Sequence, residues 1–397
     1  MGHFSGAHAI AREGEITLLH DSPLARAKAI SGLISEEALA SERLGRLTDK
    51  VAAALTDANL CSIRVPQADG GLGGTGVDLF EAAEEIARAD GSAGWCMGIC
   101  YAVNSFVHKG VPAEARREVF GNGPAACWAT LLPKATSVEE QGGFCVSGHF
   151  SYGSSSSFSR WVMVPARLAE RDGKQWFRAH IVPKEDVHIK EDSWDAMGLR
   201  GTASIDYTIA DKFVPAHRAS EYPFLAGENP RHPSAQGLVY DGQPGLVAFA
   251  SGIGFRALSE LLAAAPKTKR LLAEGMQADD NAVQFGIGEL EGRLRAARTH
   301  YLDLVANCDE ASAEGRAPDQ AIALDLHQAA QTLTRAARDM TVFAFDNAGT
   351  TVVMAANPLQ RCLRDIFTGL KHAILTPAIL GRIGKVRLGL EFGAVGF

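Results

Sequence analysis

A glycine-rich segment at residues 71–76 is the first stretch whose residue types and spacing could do chemistry. Its pattern, G-x-G-x-x-G, lets backbone amides approach a dinucleotide pyrophosphate when it joins a strand to a helix. That fingerprint needs a strand running directly into the turn, but residues 63–65 are followed by Pro66 and a polar loop. We therefore interpret the segment as a turn between two helices, which leaves the chain with no obvious NAD(P)H site of its own.

Titratable and nucleophilic side chains give weaker signals. The imidazole of His372 could act as a general base, because the pKa of histidine lies near neutrality, but histidine is also a common packing residue. The serine run at 154–157 is typical of a loop. Seven cysteines are scattered without a CxxC pair, so we expect free thiols in a reducing compartment and no metal site.

The composition of the 397-residue chain excludes several classes of function. Hydrophobic residues make up 46% and charged residues 21%, with a net charge of −7, as in ordinary globular proteins. The sequence shows no basic stripe with interleaved aromatic residues that would favour nucleic acid. It also shows no apolar stretch long enough for a membrane span and no secretion signal. We expect a cytoplasmic protein with no nucleic-acid or membrane partner.

The elements that must position these residues follow in the order helices, sheet, helices. Apolar residues spaced by three and four predict helices over 44–58, over 78–89 and after Gly94. Short β-rich runs separated by turn residues predict an antiparallel sheet or small barrel, because no alternation of strands and helices accompanies them. These runs are residues 125–131, 144–147, 161–166, 176–182 and 205–213.

From about Gly245 the pattern returns to helix. Long apolar stripes at 290–304 and 323–344 predict closely packed helices in a bundle. Asn357-Pro358 and Thr376-Pro377 predict two helix starts, and residues 223–245 form the best connector. The chain is therefore expected to be α+β, with a helical domain at 1–123, a β domain at 124–234 and a helical bundle at 235–397.

Five segments in this order together resemble the acyl-CoA dehydrogenase superfamily, and within it the two-component flavin-dependent monooxygenases often called group D. One is Ser92-Ala93-Gly94-Trp95, at a predicted helix start. The full set is residues 65–73, 90–95, 143–154, 194–204 with 213–215, and 358–365 followed by His372. The resemblance implies an N-terminal helical domain, a central β domain and a C-terminal four-helix bundle, assembled as a homotetramer.

The same resemblance implies a reduced flavin, FAD or FMN, between the β domain and the last helices. Two groups of matching positions are expected at the ring: Thr130 and Leu131 on one strand, and Tyr152, Gly153 and Ser154 at the N5 edge. Arg200 matches a phosphate contact, although a structural salt bridge is the alternative. Positions expected near a neighbouring subunit's flavin are Lys267, Lys269 and Gln284, for which a solvated helix face is the alternative, and those at the family's glycine turn are Asn347, Ala348 and Gly349.

Catalytic roles are likewise carried over from the family. Ser154 would hold the oxygenated flavin, and His372 would take a proton from a phenol or amine substrate or stabilise that flavin. Substrate-pocket positions are Trp95, Met97, Asn104 and Phe158, for which core packing is the alternative. Some aromatic hydroxylases of the group carry histidines where Asn104 and Phe158 stand, so oxidation at nitrogen, sulfur or another ring system stays open.

A dehydrogenase is the alternative function. Acyl-CoA dehydrogenases use a glutamate to remove an α-proton, and the two family positions fall at Ala373 and near Gly245 here. Neither residue can act as a base. We therefore expect a monooxygenase component that takes reduced flavin from a separate reductase and uses O2 to hydroxylate a small aromatic or amine substrate. An acyl-CoA dehydrogenase-type enzyme with a displaced base is the second hypothesis.

Overall fold

Helices and strands follow one another in the expected order. The computed structural model describes residues 22–121, 123–171, 173, 175–222, 233–270, 274–316 and 320–390. Five helices come first: α1 (Pro23–Leu44), α2 (Asp49–Asp57), α3 (Gly76–Ala89), α4 (Gly91–Gly110) and α5 (Ala113–Phe120). Eight strands follow: β1 (Cys127–Ala129), β2 (Ala135–Glu140), β3 (Gly143–Gly153), β4 (Trp161–Arg167), β5 (Phe177–Pro183), β6 (His188–Lys190), β7 (Ile205–Pro215) and β8 (Ala219–Glu221). The chain continues with α6 (Pro233–Ala264), α7 (Asn281–Ala313), α8 (Gln320–Asp346), α9 (Pro358–Gly369) and α10 (Ala378–Arg387).

The helix predicted over residues 44–58 starts too early. Helix α1 ends at Leu44, before Gly45, and α2 begins only at Asp49. Gly45 adopts φ 71°, the left-handed conformation that ends α1. Thr48 then caps α2 by accepting a hydrogen bond from the Val51 backbone N–H. The helix predicted over 78–89 is confirmed as α3, and the one expected after Gly94 is α4, which begins three residues earlier.

The glycine-rich segment is a turn between α2 and α3, as expected. The Gly71 backbone packs so closely on Val65 that an added Cβ would lie 2.0 Å from the Val65 carbonyl oxygen. The start of α3, where a phosphate would sit in a dinucleotide site, is held by a carboxylate of the chain itself. Asp309 accepts hydrogen bonds from the backbone N–H groups of Gly76 at 2.8 Å and Val77 at 3.1 Å.

The strands form one mixed sheet in the order β6-β7-β3-β2-β4-β5-β8, with β1 beside β4. The pairs β1–β4 and β2–β4 are parallel, and the other pairs are antiparallel. The expectation of an antiparallel sheet is therefore correct for most pairs but not for these two. Strands β2, β6 and β8 were not predicted, because they are short or largely exposed and carry little apolar alternation.

Three predictions for the C-terminal half concern two helix starts and the position of the connector. Asn357 caps α9 by accepting a hydrogen bond from the Leu359 N–H, with Pro358 in the first turn, as predicted. The helix start predicted at Thr376-Pro377 is confirmed to within one residue, since α10 begins at Ala378, but the expected side-chain cap from Thr376 is not formed. The connector predicted at 223–245 is wrong from Pro233 onward, where α6 begins; residues 223–232 lie outside the described residues.

The N-terminal and C-terminal helices share one core. Buried residues of α1–α4 pack with those of α6–α9 in a single apolar cluster, whereas the strands enclose a separate one. The sheet therefore packs beside a joint helical body, and residues at the junction of sheet and helices come from all three parts of the chain. The domain limits 1–123, 124–234 and 235–397 stay a prediction.

Within the part of the chain that the structure describes, one helix has the length and composition of a membrane span, contrary to the sequence expectation. The segment Gly242–Lys267 has a mean hydropathy of 1.5, and 72% of its apolar window is buried inside the protein. A central core helix passes the same test of composition. Here the helix packs against α3, α4, α8 and α9, which accounts for its apolar character.

Candidate functional site

The indole of Trp95 marks the point where the sheet meets both groups of helices. Asp90 starts α4 by accepting a hydrogen bond from the Ala93 N–H, which places Trp95 in the first turns. The side chain is 5% exposed. Its Nε1 donates to Ser154 Oγ at 3.2 Å, and its ring meets His372 edge-on with the centroids 5.5 Å apart. Trp95 therefore joins the two residues expected to be catalytic.

Ser154 faces inward because the backbone reverses at the end of β3. Tyr152 adopts φ 65°, and the Ser154 N–H donates to the Tyr152 carbonyl at 2.9 Å. This turn leaves Tyr152 69% exposed and Ser154 only 6% exposed. A Cβ on Gly153 would lie 3.0 Å from the Tyr207 ring, so glycine suits the position between them.

His372 follows α9 and is fixed in a tight turn. Its backbone N–H donates to the Gly369 carbonyl at 3.0 Å, and its Nδ1 accepts from the Ile374 N–H at 3.3 Å. Burial lowers the pKa of the imidazole to about 4. At neutral pH the ring is therefore uncharged, with its proton on Nε2. This geometry favours a hydrogen-bond donor over the proton acceptor expected from the sequence.

The Thr130 hydroxyl already has partners inside the protein. It donates to the Ser151 carbonyl at 3.1 Å and accepts from the Tyr207 hydroxyl at 3.0 Å. The next carbonyl, that of Leu131, accepts from the Tyr222 hydroxyl. These bonds hold the segment after β1 beside the end of β3, so Thr130 and Leu131 come close to the Tyr152–Ser154 turn. The Thr130 side chain therefore holds the two segments together. Backbone groups of this segment, rather than the Thr130 hydroxyl, are left to bind a ligand.

Arg200 is engaged by its own loop. One guanidinium nitrogen donates to Asp195 at 3.0 Å and to the Ala196 carbonyl at 2.9 Å. This is the salt bridge that was the alternative to a phosphate contact, and a phosphate would have to compete with it. The same loop brings Trp194 within 6.3 Å of the Tyr152 ring, measured between centroids.

The remaining cofactor positions gather at one end of the C-terminal helices. The Gln277 N–H donates to the Thr268 carbonyl between Lys267 and Lys269, and the Gln277 side chain donates to Asn347 at 3.4 Å. Ala348 is buried there, Gly349 packs against Thr268, and the Gln284 side chain donates to the Ala278 carbonyl. Among the described residues, no hydrogen bond or ring contact joins this group to Ser154 or His372.

Met97 and Asn104 do not share the face of α4 that carries Trp95. Residues two and nine positions further along a helix point to the opposite side. Met97 is fully buried in the helical core. The Asn104 amide nitrogen donates to the Cys61 carbonyl, the Ser62 hydroxyl and the Ala125 carbonyl. Asn104 therefore fastens α4 to the segments on either side of it.

Phe158 packs against a small group of buried residues, Cys61, Cys100 and Ala126, and also against the main helical core that contains Trp95. Cys100 lies one turn before Asn104 on α4, so Phe158 contacts the side of the helix that faces away from the Trp95–His372 contact. Its expected place in a substrate pocket stays a prediction. Ile99 and Ala102, one and two turns after Trp95, lie on the Trp95 face and are only partly buried. The i, i+4, i+7 spacing from Trp95 was the signal that could have identified them.

The sequence interpretation also missed two buried hydroxyls beside Ser154. The Ser204 and Ser154 hydroxyl oxygens are 2.6 Å apart, and Thr202 Oγ1 lies 2.6 Å from Ser204 Oγ. Both residues belong to the 194–204 segment that carried the family resemblance. The spacing of these two hydroxyl residues, Thr-x-Ser, is the sequence feature that could have identified them.

Neither family position for a dehydrogenase base can act as one. Ala373 is exposed on a short 3-10 helix, Ala373–Leu375. At Gly245, helix α6 crosses α4 so closely that an added Cβ would lie 3.0 Å from the Gly98 Cα. A glutamate side chain has no room at this crossing.

One group of possible metal ligands lies outside this site. Within the described residues, Glu114, Glu118 and His217 place their ligand atoms within 4.8 Å of one another. Arg218 and His217 both bind the Glu118 carboxylate, with Arg218 Nε at 2.5 Å. The fixed positive charge of the guanidinium disfavours a cation at this position.

Comparison with known proteins places this geometry in a family context. Residues 245–377 match the family model "Acyl-CoA dehydrogenase, C-terminal domain". The chain is 27% identical to a pigment production hydroxylase of Rhodococcus erythropolis, over 93% of this chain and 96% of the relative. It is also 27% identical to the oxygenase component of an FADH2-dependent resorcinol hydroxylase of a Rhizobium species, over 94% and 95%. The structure of XiaF from a Streptomyces species, in complex with FADH2 and glycerol, superposes with a TM-score of 0.86 at 21% identity, over 94% of this chain and 96% of that one.

Proposed function

We propose the function from this premise: the chain belongs to the acyl-CoA dehydrogenase superfamily, in its branch of two-component flavin-dependent monooxygenases. It is the oxygenase component, which uses reduced flavin and O2 to hydroxylate a small organic substrate. Bound reduced flavin supplies the electrons and the position at which O2 reacts. The observation in the chain itself that carries the proposal is the meeting of Ser154, Trp95 and His372 where the sheet joins the helices.

The residues at this junction fit an isoalloxazine ring. A flavin ring has apolar faces and one edge of hydrogen-bonding atoms, and the junction combines both kinds of surface. Ser154 presents a buried hydroxyl, and beside it Tyr152, which is 69% exposed, meets the ring of Trp194 edge-on. Large exposed apolar side chains beside a buried polar group are typical of a ligand site.

His372 orients the substrate in this proposal. Its uncharged ring donates from Nε2, because Nδ1 accepts the Ile374 N–H. Trp95 and Phe249, whose ring centroids are 5.1 Å apart, form an apolar wall that excludes water. An aromatic substrate suits this wall, since edge-to-face contacts between rings are favourable. The names of two similar proteins, an indole-3-acetate monooxygenase and a resorcinol hydroxylase, also support an aromatic substrate.

The decisive experiment combines the purified chain, chemically reduced flavin, ¹⁸O₂ and a panel of phenols, indoles and aryl amines. We expect one ¹⁸O atom in the product, detected by mass spectrometry, without NAD(P)H. An acyl-CoA added under anaerobic conditions with oxidised flavin should leave the flavin spectrum unchanged. Bleaching of the flavin by the acyl-CoA would instead establish the dehydrogenase alternative.

Three finer features belong to the same proposal. A separate flavin reductase supplies the cofactor, because the glycine-rich turn of the chain does not form an NAD(P)H site. FADH2 is preferred to reduced FMN, as the names of two similar proteins suggest; anaerobic titration with both flavins tests the preference. The enzyme is a cytoplasmic homotetramer in which Lys267, Lys269 and Gln284 approach a neighbouring subunit's flavin.

A further inference from the structure

Four buried side chains form a continuous line of hydrogen bonds that runs from Trp95 through Ser154 to the loop after β6. Trp95 Nε1 donates to Ser154 Oγ at 3.2 Å, and Ser154 Oγ lies 2.6 Å from Ser204 Oγ. Ser204 Oγ lies 2.6 Å from Thr202 Oγ1, which donates to the Leu199 carbonyl at 2.8 Å. The side chains of the line belong to residues no more than 6% exposed.

The two ends of this line fix the direction of every hydrogen bond. A carbonyl oxygen can only accept, and each hydroxyl has a single proton to donate. Because Thr202 donates to Leu199, it must accept from Ser204, and Ser204 must accept from Ser154. At the other end the indole N–H can only donate, so Ser154 also accepts from Trp95. All hydroxyl protons therefore point away from Ser154 and toward Leu199.

We infer that Ser204 and Thr202 are positioning residues which make Ser154 a hydrogen-bond acceptor, so that the site selects reduced over oxidised flavin. This inference rests on the proposed function. Reduced flavin carries a proton on N5, whereas N5 of oxidised flavin has only a lone pair. The remaining Ser154 lone pair can accept from the N5–H of reduced flavin. It can offer nothing to oxidised N5, because the Ser154 proton is directed to Ser204.

The inference predicts that interrupting the hydrogen-bond line at Thr202 or Ser204 changes the ratio of the affinities for reduced and oxidised flavin. In Thr202→Val the acceptor of the Ser204 proton is lost, so Ser204 can donate to Ser154 and Ser154 can donate to oxidised N5. Affinity for oxidised flavin should rise, and the preference for reduced flavin should fall roughly tenfold, as the exchange of one buried hydrogen bond implies. Ser204→Ala should act in the same direction.

Thr202→Ser is the matched control, because it keeps the hydroxyl and removes only a methyl group. It should retain the wild-type ratio. The two affinities are measured without turnover, by fluorescence titration of oxidised flavin in air and of reduced flavin under argon. Circular dichroism and thermal unfolding compare the folding of the Val and Ser variants. A lower affinity of Thr202→Val for both flavin forms, with their ratio preserved, would identify a purely structural role and overturn the inference.

The outcomes separate this inference from the proposed function. If the wild-type chain binds neither form of flavin, the proposed function fails. If it binds reduced flavin but Thr202→Val and Ser204→Ala leave the ratio unchanged, only the orientation of Ser154 by its neighbours is rejected. A rise in affinity for oxidised flavin, confined to the two variants that interrupt the line, supports both.

Discussion

The uncharged state of His372 sets how this residue can act. A base with a pKa of about 4 is weak at neutral pH, and its Nδ1 is engaged by the Ile374 N–H. The ring can instead hold a substrate oxygen or nitrogen by donating from Nε2. The spacing of His372 from the Arg364-Asp365 element singled out this residue in the sequence, and its catalytic role stays a prediction. The sequence could not give the protonation state, which depends on burial and on the turn around residue 374.

His372→Ala should therefore abolish the positioning of the substrate without affecting flavin binding. We expect kcat for substrate hydroxylation to fall by roughly 100-fold, while the anaerobic Kd for reduced flavin stays within about twofold of wild type. In the wild-type enzyme, the pH profile of kcat should show no inflection near 6.5 that depends on His372, because the folded-state pKa of this residue lies near 4. Unchanged turnover in the Ala variant, or a wild-type inflection near 6.5 that this variant loses, would contradict the donor role.

Asp365 links the end of α9 to the loop that carries the buried hydroxyls. Its Oδ1 accepts from the Leu199 N–H at 2.6 Å. Burial, and then the nearby Asp90 carboxylate, raise the pKa of Asp365 to about 7, although Arg361 and Arg364 act in the opposite direction. Between its ordinary pKa of 3.8 and about 7, the folded protein holds a proton that the unfolded chain releases. This group therefore lowers stability as pH rises through that window.

Asp365→Asn should remove this pH dependence, because the amide keeps the acceptor for Leu199 and cannot ionise. We expect the variant to gain stability relative to wild type as pH rises from 4 to 7, measured by urea unfolding at several pH values. Buried His372 and His180, whose pKa values are lowered, affect both proteins equally, so the difference reports Asp365 together with the Asp90 carboxylate that interacts with it. A constant difference across the pH range would show that the carboxylate stays ionised.

At the scale of elements, the close crossing of α4 and α6 leaves no space for a glutamate base at Gly245, one of the two positions at which acyl-CoA dehydrogenases carry it. Gly98 and Gly245 allow the two backbones to meet, since a Cβ on either would lie within 3.2 Å of the other residue. A glutamate at Gly245 would bring both excess volume and a charge into this contact. The structural reason for the missing base is therefore helix packing as well as residue type.

Gly245→Glu should destabilise the protein rather than create a dehydrogenase. Overpacking and an unpaired buried charge together should lower the free energy of unfolding by more than about 3 kcal/mol. Ala373→Glu, at the exposed alternative position, should change it by less than about 0.5 kcal/mol. Thermal and urea unfolding measure both effects. Wild-type stability of Gly245→Glu would show that the helices are further apart than the structure indicates.

Elements whose apolar residues repeat at helical spacing were predictable from the sequence, whereas elements that tertiary contacts define were not. Helix α3 follows from its apolar spacing and its capping box at Thr75 and Asp78. In contrast, β6 and β8 have only three residues each, and pairing with β7 and β5 defines them as strands. Helix α6 was taken for a connector over 233–245 because it contains Pro244 and several glycines. Tight packing against α4 explains some of those glycines.

At the scale of the whole molecule, several large apolar side chains among the described residues are exposed near the end of the C-terminal helices. We group them as one surface because each lies within two residues, along the chain, of a member of a small core built from α6, α8 and the residues after them. Its members are Leu262, Met276, Phe285, Val353 and Met354, which are between 41% and 72% exposed. Such surfaces on soluble proteins commonly mark interfaces. Lys267, Lys269 and Gln284 lie in the same segments, as the proposed contact with a neighbouring subunit's flavin requires.

Phe285→Asp should therefore weaken both assembly and cofactor binding. Phe285 is the most exposed member of the surface, at 72%, and a charge there would be desolvated in an interface. We expect a smaller species in analytical ultracentrifugation at micromolar concentration, and a Kd for reduced flavin that rises as the assembly dissociates. Val138→Asp, on the exposed face of β2 at 62%, is the matched control and should change neither. A variant that dissociates while binding reduced flavin as tightly as wild type would show that each subunit holds its cofactor alone. That result would remove Lys267, Lys269 and Gln284 from the site, because in their own subunit they lie with Asn347 and Gly349, away from Ser154.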